Sequence, residues 1–335
     1  MNKRILRHFG VEQKGFYRDE VFNSMVQDIR DGVMENEMII LAGQWGSGKT
    51  TLFREVKKVL SQDPDKAPIF VRVANEERRW MRISSILTAL LLNEEIGKGE
   101  QQRKDLEARS LQVIRLLGEA HVNDKKKICL YIENAHELHT NTIRAIKNFR
   151  ENDFAGVTPL LSIVLIGQPE LLSKVNRFGE VKCRVSAYDM SEANGWMTYE
   201  KRVSYLKTVY DDALTIKARK RVANYCRSPL HMDYFVEQKM SAMHRAGKNI
   251  IDDDCFEMTP KEYYTLLEQS GKIGYTKLAK VAGVSKATIS GVISGSDIRN
   301  RDKVLTAMKA IEDERNRDKE SNTVDFNRQA AEAAV

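Results

Sequence analysis

Met38-Ile39-Ile40-Leu41-Ala42-Gly43-Gln44-Trp45-Gly46-Ser47-Gly48-Lys49-Thr50-Thr51 is the stretch that decides how the rest of the chain is read. The apolar run from Met38 to Leu41 predicts a buried strand, and from Gly43 the sequence fits G-x-x-x-x-G-K-[ST] at every position. Gly43, Gly46 and Gly48 free the backbone to wrap a polyphosphate with its N–H groups, because glycine adopts backbone angles that a Cβ disfavours. Gln44, Trp45 and Ser47 complete the loop, and Thr51 continues into a helix whose positive N-terminal end faces the anion. Lys49 is expected to reach the β and γ phosphates and Thr50 to ligand Mg²⁺, so ATP with Mg²⁺ is the expected cofactor. The alternative is a chance match in a loop, against which the order strand, glycine loop, helix argues.

A chain of 335 residues, 42% hydrophobic and 30% charged, is long enough for a nucleotide-binding core plus an appendage and apolar enough to bury both. No apolar run approaches the length of a membrane span, and Met1-Asn-Lys-Arg-Ile-Leu-Arg-His8 lacks the apolar segment of a signal peptide, so a cytoplasmic protein with no membrane partner is expected. Cys129, Cys183, Cys226 and Cys255 are too scattered for a metal or redox pair and read as buried thiols. The net charge of +7 favours polyanionic partners.

In chain order, Phe9-Gly10-Val11 and Phe16-Tyr17-Arg18 lead into a helix predicted from Asp19 to about Met34, with Val21, Met25, Ile29 and Val33 on its inner face. The aromatic residues read equally as contacts to an adenine ring or as packing. A helix from Thr50 to Leu60 precedes a second strand, Ile69 to Val73. The next loop brackets Trp80 with Arg78, Arg79 and Arg82, a mixture that suits either a nucleic-acid backbone or a solvated loop anchored by its tryptophan. Helices follow from Ser84 to Leu92 and from Gln101 to Ala120, the latter with Leu106, Val113, Leu116 and Leu117 inward.

Lys125-Lys-Lys-Ile-Cys-Leu-Tyr-Ile-Glu-Asn-Ala-His136 is a basic turn feeding an apolar strand that ends in Glu133, which is how a P-loop protein places an acid beside Mg²⁺. The next residue in hydrolysing enzymes of this kind is usually a glutamate that polarises water. Asn134 stands there instead, and an amide cannot accept a proton, so general-base help of about 10²–10⁴-fold is expected to be missing unless Glu137 supplies it. A core strand with a capping acid is the bland alternative. The helix from Asn141 to Glu151 carries Arg144, Lys147 and Arg150 across one face, fit for a DNA-tracking channel or for plain solvation. Leu160 to Ile166 predicts another strand, ending at Gln168, which would sit beside the γ phosphate if this strand neighbours that of Glu133.

Trp45 to Thr51, Ile132-Glu-Asn-Ala-His-Glu-Leu138 and Ile166-Gly-Gln-Pro-Glu-Leu171 together resemble the ATPase core of the AAA+ regulators of DNA transposition, the group of the phage Mu B, TnsC and TniB proteins, related to the ExeA-type ATPases. The resemblance spans roughly Phe9 to Met258 and implies a three-layer α/β domain with a parallel sheet, a helical lid, and an oligomer with ATP at subunit boundaries. It also implies that Gln168 is a sensor of the γ phosphate and that Arg184 reaches a neighbour's ATP. The family usually has Asp-Glu where this chain has Glu133-Asn134, and Gly-x-Pro-Arg where it reads Arg227-Ser-Pro-Leu-His231, so the lid arginine is absent or displaced to Arg227. Arg202 is either structural or assists at the interface.

From Tyr275 the sequence Tyr-Thr-Lys-Leu-Ala-Lys-Val-Ala-Gly-Val-Ser-Lys-Ala-Thr-Ile-Ser-Gly-Val-Ile-Ser-Gly295 fits a helix-turn-helix with Gly283 in the turn and Val284, Ile289 and Val292 in the shared core. It resembles the Cro and lambda-repressor type. Ser285 caps the recognition helix, and Lys286, Ala287, Thr288 and Ser290 would face DNA, a protein-docking module being the alternative. The expected layout is an ATPase core over residues 1–190, a helical lid over 191–258, a helix-turn-helix domain over 259–317 and a disordered tail over 318–335. The expected function is that of a slow ATPase. It would assemble on double-stranded DNA as a ring or helical filament and recruit a transposase. An ATP-gated transcription regulator and a secretion or assembly ATPase are the other readings.

Overall fold

The computed structural model describes residues 3–73, 81–252, 260–269, 273–297 and 299–311. The expectations for Arg78, Arg79, Trp80, Cys255 and the 318–335 tail lie outside the described residues.

Helices α1 (Lys3–His8) and α2 (Glu20–Met34) precede β1 (Met38–Gly43), α3 (Lys49–Leu60) and β2 (Ile69–Arg72). Next come α4 (Ile83–Leu92), α5 (Glu94–Gly97), α6 (Leu106–Val122), β3 (Ile128–Glu133), α7 (Thr140–Arg150) and β4 (Ser162–Gly167). After α8 (Glu170–Asn176), α9 (Gly179–Lys182) and β5 (Val185–Met190) the chain is helical: α10 (Tyr199–Tyr210), α11 (Ile216–Tyr225), α12 (Pro229–Arg245), α13 (Pro260–Gln269), α14 (Tyr275–Ala282), α15 (Lys286–Ser294) and α16 (301–311).

The five strands pair in parallel in the order β2-β3-β4-β1-β5. A parallel sheet needs helical crossovers and cover on both faces, and its central strands read as unbroken apolar runs. β1 and β4 are buried at all six positions. Leu41 and Glu133 both pair with Ile166, so the carboxyl ends of β1, β3 and β4 lie level and present Gly43, Glu133 and Gln168 along one edge of the sheet. That edge is where open α/β sheets bind ligands.

Several boundaries differ from expectation for identifiable reasons. The Asp19 carboxylate accepts the amide of Phe22 at 2.7 Å and starts α2, whose buried face is Phe22, Val26, Ile29 and Val33, leaving Val21 and Met25 only half-buried. α6 begins at Leu106 rather than Gln101 because Asp105 caps the amide of Ala108, and Leu106 itself is exposed. β4 starts at Ser162, after buried Leu160 and Leu161. β5 was not expected: it is an edge strand of mixed polarity, fully buried only at Met190. Cys183 is exposed, whereas Cys129 and Cys226 are buried as expected.

The chain divides into two compact units, one of residues 1–213 with 226–238 and the other of 214–225 with 239–335. In the second unit α14 and α15 meet at Gly283, whose φ of +64° is left-handed, and Val284 N–H closes the turn on Ala279 O at 3.1 Å. Leu278, Ile289, Val292, Val304, Met308 and Ile311 are buried. Ser285 Oγ accepts the amide of Thr288 at 3.1 Å, and Lys286, Ala287 and Ser290 are exposed with Thr288 half-buried.

Candidate nucleotide site

The loop after β1 is shaped by its glycines. Gly46 and Gly48 have φ of +75° and +99°, and Gly48 is the N-cap of α3 with no side chain capping the helix. A Cβ on Gly46 would lie 2.8 Å from Leu230 Cβ, and one on Gly43 2.8 Å from Ser47 Oγ and 2.9 Å from Met190 Cβ. The Lys49 ammonium donates to the carbonyl oxygens of Gly43 and Gln44, both at 2.8 Å, and burial lowers its pKa to about 8. A cradle that only glycine permits, an uncapped helix N-terminus and a half-buried ammonium are what a polyphosphate requires, so the residues fit nucleotide. Thr50 is exposed in the first turn of α3, Thr51 borders the cleft described below, and Gln44 and Trp45 are exposed at the loop's crest.

Glu133 lies at the end of β3, where Arg72 from the end of β2 donates to its Oε2 at 2.5 Å. Among the described residues no three His, Cys, Asp or Glu side chains form a metal-binding group. Mg²⁺ here would rest on Thr50, Glu133 and the nucleotide's own oxygens, as is usual for that ion. Asn134 takes φ of +54° and turns the chain into a short 3-10 helix, Ala135–Glu137. That turn carries His136 to Gln168, whose Nε2 lies 3.1 Å from His136 Nε2. The two segments are pressed together, since a Cβ on Gly167 would lie 2.9 Å from the His136 backbone nitrogen. The Lys174 ammonium ties the turn down through the carbonyl oxygens of His136 and Leu138. Glu137 Oε1 is 3.9 Å from His136 Nε2. Neither Arg72 nor His136 stood out in the sequence, because a strand-end arginine and a histidine in a turn carry no spacing signal.

Beside the loop lies a cleft lined by Phe16, Tyr17, Phe22, Gly48, Thr51 and Trp196, among others. Trp196 Nε1 donates to Ser47 O at 3.0 Å and its ring stacks on Phe22. Asp233 organises the far wall: it accepts from Tyr205 and Tyr210 hydroxyls at 2.9 Å each and from Lys14 at 3.0 Å, while Glu237 takes a second Lys14 bond at 2.5 Å. Burial alone would lower the Lys14 pKa, but the two carboxylates outweigh it and raise it. Burial and the Asp233 charge push both tyrosines up. The aromatic lead-in thus borders the cleft, with Phe16 and Tyr17 next to the phosphate loop.

The remaining predicted residues are placed as follows. Arg184 is exposed just before β5, with its Nε 3.6 Å from Glu151. Arg202 is buried, donates to Met197 O at 2.7 Å and pairs with Glu192 at 3.2 Å, which makes it structural. Arg227 also pairs with Glu192, at 2.9 Å. Arg144 pairs with Glu180 at 2.7 Å, Lys147 with Glu151 at 2.5 Å, and Arg150 donates to Asn36 O at 2.9 Å. Those three cations are engaged within their own unit rather than standing as an unpaired face.

A parallel sheet in this order, with a glycine loop after the interior strand β1, a glutamine just past the end of neighbouring β4 and an acid at the end of β3, is the fold of the P-loop AAA+ ATPases. Residues 31–175 match the model of the AAA domain. No curated protein matches the chain. Among solved structures, Cdc6p of Pyrobaculum aerophilum is 13% identical with a TM-score of 0.55 over 94% of this chain and 84% of that one. The ADP form of the Aeropyrum pernix ORC2 protein is 8% identical, TM-score 0.48, over 93% and 98%. Thermotoga maritima RuvB is 16% identical, TM-score 0.44, over 83% and 86%. At 13% identity the likeness to Cdc6p is one of fold alone. No helix among the described residues is long and apolar enough to cross a membrane.

Proposed function

We propose that this chain is an ATP-dependent DNA-binding switch that regulates DNA transposition. The observation that carries the reading is the convergence of the Gly43–Thr51 loop, Glu133 and Gln168 at one edge of the sheet, on a chain that also bears the capped helix pair α14–α15. ATP lies along the loop with its base in the aromatic cleft. Lys49 holds the β and γ phosphates, Thr50 and Glu133 hold Mg²⁺, and Gln168 faces the γ phosphate. Mg²⁺ supplies charge neutralisation of the phosphates when bound. Arg184, exposed before β5, reaches the ATP of a neighbouring copy in a ring or filament on double-stranded DNA, and the assembly recruits a transposase. Ser285, Lys286, Ala287, Thr288 and Ser290 meet the DNA, Arg78 and Arg79 add phosphate contacts, and Arg144 and Lys147 can join them only by exchanging their carboxylate partners. Binding of this kind is weakly sequence-specific and strongly salt-dependent. Asn134 makes hydrolysis slow.

The test is duplex-DNA binding with ATP, a slowly hydrolysed analogue, ADP or no nucleotide, repeated with Lys49→Ala and imaged by negative-stain microscopy. ATP-dependent DNA-bound assemblies that Lys49→Ala fails to form are expected. Binding that ignores nucleotide and protects one short site overturns the reading. Nucleotide-dependent binding confined to one short site would instead favour an ATP-gated transcription regulator, for which the Ser285-capped, exposed face of α15 is the supporting feature.

A further inference from the structure

The fold brings the His136 imidazole to the phosphate edge of the sheet, and its two ring nitrogens are in unlike surroundings. Nε2 meets the Gln168 amide at 3.1 Å, while Nδ1 is buried with no hydrogen-bond partner in the described structure. The segment that carries the ring is held in place: Lys174 donates to the His136 backbone carbonyl, and Gly167 lies close enough that a Cβ there would press on His136 N and Cβ. Its side chain is 16% exposed.

We infer that His136 is a positioning residue that accepts an N–H of Gln168 at Nε2 and so turns the Gln168 amide oxygen toward the loop, where it orients the attacking water in place of the glutamate that Asn134 replaces. The inference rests on the ATPase reading above and deepens it. A neutral imidazole has one donor and one acceptor nitrogen, and the hydrogen bond made by one decides the state of the other. Acceptance at Nε2 puts the ring proton on Nδ1. An amide fixed at one N–H has its carbonyl oxygen aimed the opposite way, and a glutamine oxygen is a known means of aligning water for attack on a γ phosphate. In that step the water oxygen bonds to the γ phosphorus as the bond to the bridging oxygen breaks, its electron pair leaving with ADP. The water's proton passes to phosphate oxygen, since an amide is no base.

Burial first, then Lys174 and Lys49, depress the His136 pKa below its ordinary value, against Glu137 and Glu170, which raise it. The ring is therefore neutral at pH 7 and able to accept. Below its pKa, Nε2 carries a proton, can only donate, and takes the Gln168 oxygen for itself, which removes that oxygen from the water.

The experiment begins with the unaltered, nucleotide-free chain, in which ¹⁵N NMR of the six histidines assigns His136 by its loss in His136→Gln. The expected result is the tautomer protonated at Nδ1. His136→Leu is expected to lower kcat for ATP by roughly tenfold or more with nucleotide Kd unchanged, the size of effect that misplacement of a reacting group produces. His136→Gln, which retains an acceptor, restores most of the rate and removes the acid limb of the kcat profile. A proton on Nε2, or a His136→Leu protein with unaltered kcat, overturns the inference while leaving the ATPase reading standing. Absence of hydrolysis in the unaltered chain overturns both.

Discussion

The phosphate loop and the aromatic cleft beside it touch the same Ser47, yet they are built by opposite means. The loop is nine consecutive residues, Gly43 to Thr51, acting through backbone and one ammonium. The cleft is assembled from segments near residues 14–22, 196–209 and 229–237, and acts through side chains. A site made of backbone requires glycine at fixed intervals and is written in one place. A site made of side chains requires only apolar bodies that the fold brings together, so any one segment of it looks like ordinary core. The Trp196 bond to Ser47 O is the joint between the two.

Removing the loop's charge should have the largest effect. Lys49→Ala is expected to weaken ATP binding by about 10²-fold, the value of a charged hydrogen bond of about 3 kcal/mol, as read by fluorescent-nucleotide titration. A smaller loss than for Trp196→Ala would break the contrast by shifting the dominant contribution to the cleft. Asn134→Glu, which supplies the missing proton acceptor next to Glu133, should raise steady-state phosphate release by about 10²-fold. No gain would mean that the Asn134 turn, at φ of +54°, cannot aim a carboxylate at the site.

Trp196→Ala tests the joint. Trp196 is 7% exposed, stacked on Phe22 and bonded to Ser47 O, so its removal should cost about 3 kcal/mol in urea unfolding and loosen the loop and the cleft together. Loss of stability with nucleotide affinity intact would show that the two regions are independent.

The smallest effect expected is with pH. The Lys49 ammonium has its pKa lowered to about 8 by burial, and a phosphate binds its charged form. Below that value the lysine is already protonated. Above it, binding must take up a proton, so ATP affinity should fall as pH rises through 8, by up to about tenfold per unit. Lys49→Arg, charged throughout this range, should flatten the profile.

How much was legible follows the same division. β1, β3 and β4 are buried apolar runs and could be read directly, as could the Gly283 turn and the Ser285 cap, each a local device with a characteristic residue. β5 could not be read: an edge strand half-facing solvent needs no apolar run, and Val185-Ser-Ala-Tyr-Asp-Met190 is strand only because β1 offers it a ladder. On α2 Ile29 and Val33 are buried as expected, but in the first turns Phe22 and Val26 are buried in place of Val21 and Met25, because neighbouring positions there are both apolar and only packing chooses between them. Arg144 and Lys147 read as either a DNA-facing or a solvated basic face, and only the fold shows that each lies beside a carboxylate, Glu180 and Glu151.

By itself the sequence determined the phosphate loop, the acid at Glu133, the amide at Asn134 and the glutamine at Gln168, because local backbone geometry and strand ends restrict which residues can stand there. Only the tertiary structure decided that Arg72 engages Glu133, that His136 meets Gln168, and that Phe16, Tyr17, Trp196 and Asp233 share one cleft. Those pairings join residues up to about 220 positions apart, as Lys14 and Asp233 show. Sheet register and helix packing create them, and no spacing along the chain encodes either.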